Sequence, residues 1–187
     1  MQVAMLFTVC TLLIAGGCAQ EKNQLSSSVG QPKVTPEGAA VHTHPLFIIE
    51  RSKNANVVHY DARLTPDGRL DPGEPVIAYY VMLAEDGRRK ELSWIEKTLA
   101  YGFEIEPGVA SDEYKMTMVA ARDRSITVRK VGKTVCAELL IDGRPAVVEK
   151  IYIKFSEGLF RPKVHYMEPY GKDVQTAEKR YEKVFPK

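Results

Sequence analysis

The sequence predicts a mainly β domain, an antiparallel meander forming a barrel-like or strongly coiled sheet, with one short internal helix and a C-terminal helix. Three observations lead there. Short β-branched and aromatic runs alternate with turn residues from Leu46 onward. Some of these runs are joined by two-residue turns of hairpin type. Only two stretches show the apolar spacing of a helix. A chain of sequential strands with few helices favours closure or coiling, because both protect the edges of the sheet.

Strands are expected near 46–51, 56–62, 76–83, 103–107, 113–120, 125–131, 134–141, 146–155 and 162–168. Gly132-Lys133 suits a type II′ turn and Asp142-Gly143 a type I′ turn, and each fixes a register. The first sets Ile126 opposite Leu139 and Val128 opposite Ala137 on a core face, with Thr127 facing Glu138 and Arg129 facing Cys136 on the other. The second adds Ala146 and Val148 to the core face. Beyond Lys150 the apolar residues Ile151, Ile153 and Phe155 have the opposite parity, which predicts a bulge near Glu149-Lys150. Ser93-Trp94-Ile95-Glu96 is a capping box, with Ile95 and Leu99 on one stripe and Gly102 placed to end the helix. Val174, Ala177, Tyr181 and Val184 recur at helical spacing behind Asp173 and predict a last amphipathic helix docked on the sheet.

Before the domain, Val3 to Ile14 is an uncharged, largely apolar run ending in Ala15-Gly16-Gly17-Cys18-Ala19, so 1–17 reads as a secretory signal peptide. The run is shorter than the ~20 residues a membrane-crossing helix needs. Cys18 stands where a bacterial lipoprotein signal places its lipid-bearing cysteine, although Ala15 replaces the usual Leu and no Lys or Arg precedes the run. An ordinary signal peptidase would instead leave Cys18 as an unlipidated first residue. The reading adopted is an exported protein anchored to the membrane through a lipid, palmitate included, on Cys18. Ala19 in place of Asp points to the periplasmic face of the outer membrane in a diderm host. Residues 18–41, rich in Gln, Ser, Pro and Gly, form a flexible tether spanning on the order of 25 Å, and 42–187 is a single β-rich domain. Once Cys10 leaves with the signal and Cys18 takes lipid, Cys136 is the remaining thiol, so no internal disulfide is expected.

With 26 Lys and Arg against 24 Asp and Glu interspersed along the chain, there is no strong field to recruit nucleic acid. The basic "GRRKE" at Gly87 to Glu91 reads as a solvated face. No nucleophile elbow, phosphate-binding glycine loop, His-Glu-x-x-His or Cys-x-x-Cys occurs. His42 and His44 form one close pair, and His59, His165, Glu50 and Asp61 are scattered, so no metal or other cofactor is expected. Cys136 turns outward beside Arg129 and Glu149. The guanidinium could lower its pKa, but no positioned base accompanies it and an inert thiol is the better reading. Of Tyr79, Tyr80, Tyr101, Tyr152, Tyr166 and Tyr170, one member of each strand pair could line an interior, against ordinary strand packing.

Between two apolar runs lies the polar stretch Glu50-Arg51-Ser52-Lys53-Asn54-Ala55-Asn56. Pairing Arg51 with Asn56 closes a loop over Ser52–Ala55 and puts Phe47, Ile49, Val58 and Tyr60 on one face with Arg51 and Asn56. A turn needs polar loop residues but no charged pair on the strands that feed it. Glu50, Arg51, Asn56 and Tyr60 are therefore read as the mouth of a site for a polar or anionic group, with a salt-bridged strand end as the alternative. "HPLFIIERSKNANVVHYDARL", "DPGEPVIAYYVML", "LAYGF" and "VHYMEPYGKDVQTAE" resemble, in this order, the bacterial family called domain of unknown function 4833, from about His44 to the C-terminus. The resemblance implies a single β-rich domain, often exported, and brings no activity, cofactor or site residue with it. The function expected is a non-enzymatic binding module for a small ligand or an envelope partner. A structural module would instead show a flat apolar patch, and an enzyme a polar cleft near Glu50, Arg51, Tyr60 and Tyr101.

Overall fold

Two tight turns set one half of the sheet. A computed structural model describes residues 42–52, 54–156 and 163–186, all within one compact unit, Gly38–Lys187. Strands β7 (Ser125–Val131) and β8 (Thr134–Ile141) meet across Gly132-Lys133, where Gly132 has φ 63° and Lys133 no positive φ. Strand β9 (Arg144–Ser156) follows Asp142-Gly143 at φ 51° and 70°, the double left-handed signature of a type I′ turn. The register is the expected one: Thr127 faces Glu138, Val128 faces Ala137, Arg129 faces Cys136 and Leu139 faces Ala146. Strands β5 (Phe103–Pro107) and β6 (Glu113–Met118) extend this half antiparallel beyond β7.

The other half hangs on β1 (His42–Arg51), which pairs antiparallel with β2 (Asn54–Leu64) and parallel with β9 over Ile48–Arg51 and Lys150–Ile153. That parallel pair corrects the expectation of a purely antiparallel meander. The pair begins where the parity of β9 changes. Opposite β9, on β10 (Lys163–Asp173), Tyr170 pairs with Lys150 and Gly171 with Val148, so Glu149 is bulged, as predicted. β8 accompanies β9 through Val147, β1 takes over from Lys150, and β10 runs along the opposite edge of both. Gly171 is required at the bulge because a Cβ there would stand 2.3 Å from the Val147 carbonyl oxygen.

Beyond β2 come β3 (Val76–Met82) and β4 (Arg88–Glu91), giving the order β4-β3-β2-β1-β9-β8-β7-β6-β5, a strongly curled half-barrel. β4 is a strand that sequence reading took for a solvated charged face; all four of its residues are exposed, as suits an edge. The core fills the concave side with Phe47, Ile49, Val58, Tyr60, Met116, Ile126, Val128 and Ile141 among its most buried members.

The C-terminal helix does not form. Asp173 caps a single turn, its Oδ1 accepting from the Gln175 and Thr176 N–H groups, and Ala177 then takes φ 58°. The chain returns as β11 (Lys179–Tyr181) against β10, and Val184 bridges Met167. A helix this short is marginal in water unless it buries an apolar face, whereas the strand completes a ladder. Val174 and Tyr181, two residues of the predicted stripe, are 41% and 49% exposed.

The internal helix forms, though not as a docked stripe. The capping box is present in α1 (Trp94–Glu96), which runs on into a π turn, Lys97–Tyr101. Ile95 and Leu99 are exposed, and Tyr101 is the residue carried into the core. Gly102 ends the turn at φ −68°, in a conformation open to any residue; what it supplies is space, since a Cβ would lie 1.8 Å from the Lys97 carbonyl oxygen. Among the described residues, no helix is long and apolar enough to cross a membrane. The expected signal, Cys18 and the tether up to Val41 lie outside the described residues.

Candidate functional site

The two ends of the sheet, β4 and β5, are linked by α1 and the π turn, and between them the half-barrel is open. β4 pairs with β3 only over Tyr79–Met82, because at Ser93 the chain turns into the helix. Ser93 Oγ accepts from the Glu96 N–H at 3.3 Å, and Glu96 Oε2 accepts from the Ser93 N–H at 2.8 Å. Val76–Ala78 of β3 is left with a strand partner on the β2 side alone. The opening is a groove of about 570 Å³ lined by Val76–Tyr79, Arg89–Leu92, Lys97, Tyr101–Phe103 and Val119, with Glu74 at one end. Val76, Leu92 and Tyr101 give it a buried apolar floor, and Arg89, Lys90, Glu91 and Lys97 a charged rim. Its volume falls in the range of ligand clefts.

Behind the floor, Arg51 is packed in an aromatic cage. Its guanidinium lies 5.1 Å from the Tyr101 ring centre and 5.6 Å from that of Phe155, and Nη2 donates to the Tyr80 hydroxyl at 3.4 Å. Tyr80 meets Tyr101 edge-on at 5.8 Å. The Tyr60 hydroxyl donates to the Tyr101 carbonyl at 2.7 Å, and its ring stacks on Phe47 at 4.6 Å. Burial pushes the Tyr60, Tyr80 and Tyr101 hydroxyls above their ordinary pKa, with Arg51 opposing the rise at Tyr80 and Tyr101. All three therefore stay neutral donors across physiological pH. Arg51 Nε is buried without a hydrogen-bond partner.

The predicted mouth is thus only partly assembled. Arg51 and Tyr101 come together, but Tyr60 has no exposed surface and its hydroxyl is engaged, which removes it as a ligand contact. Glu50 points away from Arg51 and pairs with Lys150 at 3.2 Å, so no cleft holds Glu50, Arg51, Tyr60 and Tyr101 together. Arg51 lies opposite Asn54 rather than Asn56, because β1 and β2 lose register after Ile49, and Asn56 is half-buried on β2. Lys53 lies outside the described residues. Ser52 does more than turn the chain: its Oγ donates to the Phe155 carbonyl and accepts from the Phe155 N–H, both at 3.2 Å, tying the loop to β9.

Glu50 belongs to an outer face. Lys150 lies 5.3 Å over the Tyr170 ring, and the Tyr170 and Tyr181 hydroxyls both donate to Glu168. Tyr152, Tyr166 and Tyr170 therefore line the exterior, whereas Tyr60, Tyr80 and Tyr101 are buried in the core and Tyr114 packs against it. A second polar cluster lies on β2 and β3. The Tyr79 hydroxyl donates to Asp61 Oδ2 at 2.7 Å, and its ring has His59 stacked at 5.6 Å and the Arg89 guanidinium at 4.2 Å. Burial and the Asp61 hydrogen bond push Tyr79 up to about 12, while burial lowers His59 against the pull of Asp61.

Cys136 is half-buried, its pKa raised by burial and by Glu138, with Arg129, itself engaged by Glu138 at 2.5 Å, opposing the rise without cancelling it. Glu149 is not beside it but pairs with Lys172 at 2.6 Å. Among the described residues no three His, Cys, Asp or Glu side chains converge as metal ligands. A separate apolar space between Ile49, Ile126, Leu139, Ile151 and Met167 amounts to about 50 Å³, too little for an organic ligand.

Sequence reasoning missed the groove's rim, Arg89, Lys90, Glu91 and Lys97. The signal was the charged run directly before a capping box, which marks an edge strand that feeds a helix.

The family model described as Domain of unknown function (DUF4833) matches residues 47–183. No curated protein and no solved structure matches the chain.

Proposed function

The chain belongs to this family of domains of unknown function, and from that premise we propose that it is a non-enzymatic binding module, anchored to the cell envelope, whose ligand lies in the groove between β3–β4 and β5. The observation that carries the reading is the groove itself: an opening of about 570 Å³ with a buried apolar floor and a charged rim, left where the sheet fails to close. Arg51 supports this site from behind by holding Tyr101 and Tyr80, rather than by touching the ligand. The anchor rests on the apolar run that ends at Cys18.

Both halves of the reading have direct tests. Cys18→Ser should move the protein from the membrane to the soluble envelope fraction, and a wild-type protein already soluble and without lipid by mass spectrometry would refute the anchor. Ala78→Phe places a ring on the groove wall. Compounds or peptides that raise the melting temperature of the parent should lose that effect in the variant; unchanged shifts would place the site elsewhere.

A further inference from the structure

We infer that the occupant of this groove is an extended strand of another polypeptide, which pairs with the open edges of β3 and β5 and completes the half-barrel. The inference rests on the groove reading and adds the chemistry of the ligand. The Arg63 N–H donates to the Pro75 carbonyl at 3.0 Å, so Pro75 and Ile77 direct their backbone groups toward β2. By the alternation of an antiparallel ladder, Val76 and Ala78 direct theirs toward the groove. Across it, the Val119 N–H donates to the Gly102 carbonyl at 2.9 Å, so Gly102 and Glu104 face β6 while Phe103 and Ile105 turn outward. Among the described residues no strand pairs with either outward set. A cleft flanked by two unpaired edges complements a peptide backbone, which carries donors and acceptors along both its sides.

Two further observations favour a polypeptide over a small molecule. The helical turn that brings Lys97 and Tyr101 to the groove exposes Trp94, Ile95 and Leu99 at 77%, 60% and 73%, apolar side chains outside the groove lining that a small ligand within it would leave uncovered. The devices that normally protect an edge also lie outside the open stretch of β3. β4 is Arg-Arg-Lys-Glu, and β5 carries Glu104, Glu106 and Pro107, whereas Val76-Ile77-Ala78 has neither charge nor proline. The guest strand would alternate, with apolar side chains toward Leu92, Tyr101 and Phe103 and polar ones toward solvent.

The test uses the mature full chain and nine-residue peptides selected on it from a random phage-displayed library, then synthesised. Trp94 is the chain's one tryptophan and is exposed on the helical turn that brings Lys97 and Tyr101 to the groove, so its emission reports a polypeptide that extends over that turn. Each peptide is N-methylated one backbone position at a time, which leaves the protein untouched. Alternate N–H groups of a strand held between two edges go to β3 and to β5, so the expected result is a run of consecutive sensitive positions: methylation at each weakens binding roughly five- to tenfold, the loss of about one hydrogen bond, and positions beyond the groove tolerate it. Amides of Val76, Ala78, Phe103 and Ile105 should gain protection from hydrogen exchange. A methylation scan in which no position loses binding, or no selected peptide that alters Trp94 emission, overturns the inference. If no methylated position loses binding while Ala78→Phe still abolishes it, the strand reading falls and the groove stands; if Ala78→Phe binds like the parent, both fall.

Discussion

The half of the sheet from β5 to β8 and the half from β1 to β4 are assembled by different rules. In both, successive strands pair with their neighbours in sequence, but in the first, at β7–β8–β9, a two-residue turn dictates which residues face each other. In the second, β1 lies against β9, with Ile48 opposite Lys150, and this half is fixed in place by contacts far apart in the chain: Ser52 with Phe155, and Arg51 with Tyr80, Tyr101 and Phe155. The hairpin half ends its ladders cleanly. The long-range half stops short, at a helix that leaves β3 partly unpaired, and the groove lies there. Local rules build the scaffold, and the opening appears where they give out.

The junction of the halves should be the most sensitive point. Gly171→Val would drive a Cβ to within 2.3 Å of the Val147 backbone at the bulge where β9 exchanges β8 for β1. A loss of about 3–4 kcal/mol is expected in denaturant titration, the scale of severe backbone or packing damage. A loss below about 1 kcal/mol would mean that the bulge relaxes and that the halves are less tightly joined than their shared strand implies.

Next in size is the cage. Arg51→Ala removes a desolvated cation–π contact and a hydrogen bond, so a loss of about 2 kcal/mol is expected. Arg51→Met keeps the aliphatic packing and removes a buried guanidinium whose Nε has no partner, and should cost clearly less. If both variants keep the parent's melting temperature yet lose groove binding, Arg51 contacts the ligand itself.

These two residues show what the sequence could disclose. The bulge at Glu149 was legible because parity along β9 is a local property, and so was the capping box at Ser93. The parallel β1–β9 pair was not: nothing in "LFIIER" encodes a partner a hundred residues away. The polar stretch Glu50–Asn56 does hold the turn between β1 and β2, but Arg51 pairs with Asn54 instead of Asn56, and what accounts for its cation, three aromatic rings from β3, the π turn and β9, comes from tertiary packing. The predicted C-terminal helix failed for the converse reason, since its apolar spacing was real but the ladder with β10 outweighed it.

A pH effect sharpens the comparison within β2 and β3. Tyr79 is raised to about 12 from an ordinary value near 10, chiefly by burial and then by its bond to Asp61. A raised folded pKa means the contribution is complete below pH 10 and is lost as pH climbs through about 12. Stability should fall over that window in the parent and fall less in Tyr79→Phe. His59, lowered mainly by burial, acts in the opposite sense: its contribution is present above its ordinary value near 6.5 and is lost on acidification. His59→Gln should flatten the acid limb and leave the alkaline limb unchanged.

The smallest effect is expected at Glu50, beside Arg51 in sequence and opposite to it in role. Its carboxylate meets Lys150 at 3.2 Å with both side chains more than a third exposed, 36% and 38%. Pairs of that kind contribute about 0–1 kcal/mol and weaken with salt. Glu50→Gln should therefore lower the melting temperature by no more than about 2 °C for a domain of this size, with the difference shrinking at 1 M salt, where the screening length is about 3 Å. Groove binding should be unaffected, because the carboxylate lies on the outer face with Tyr152 and Tyr170. A loss of binding without loss of stability in Glu50→Gln would move the site from the groove to that tyrosine- and lysine-bearing face.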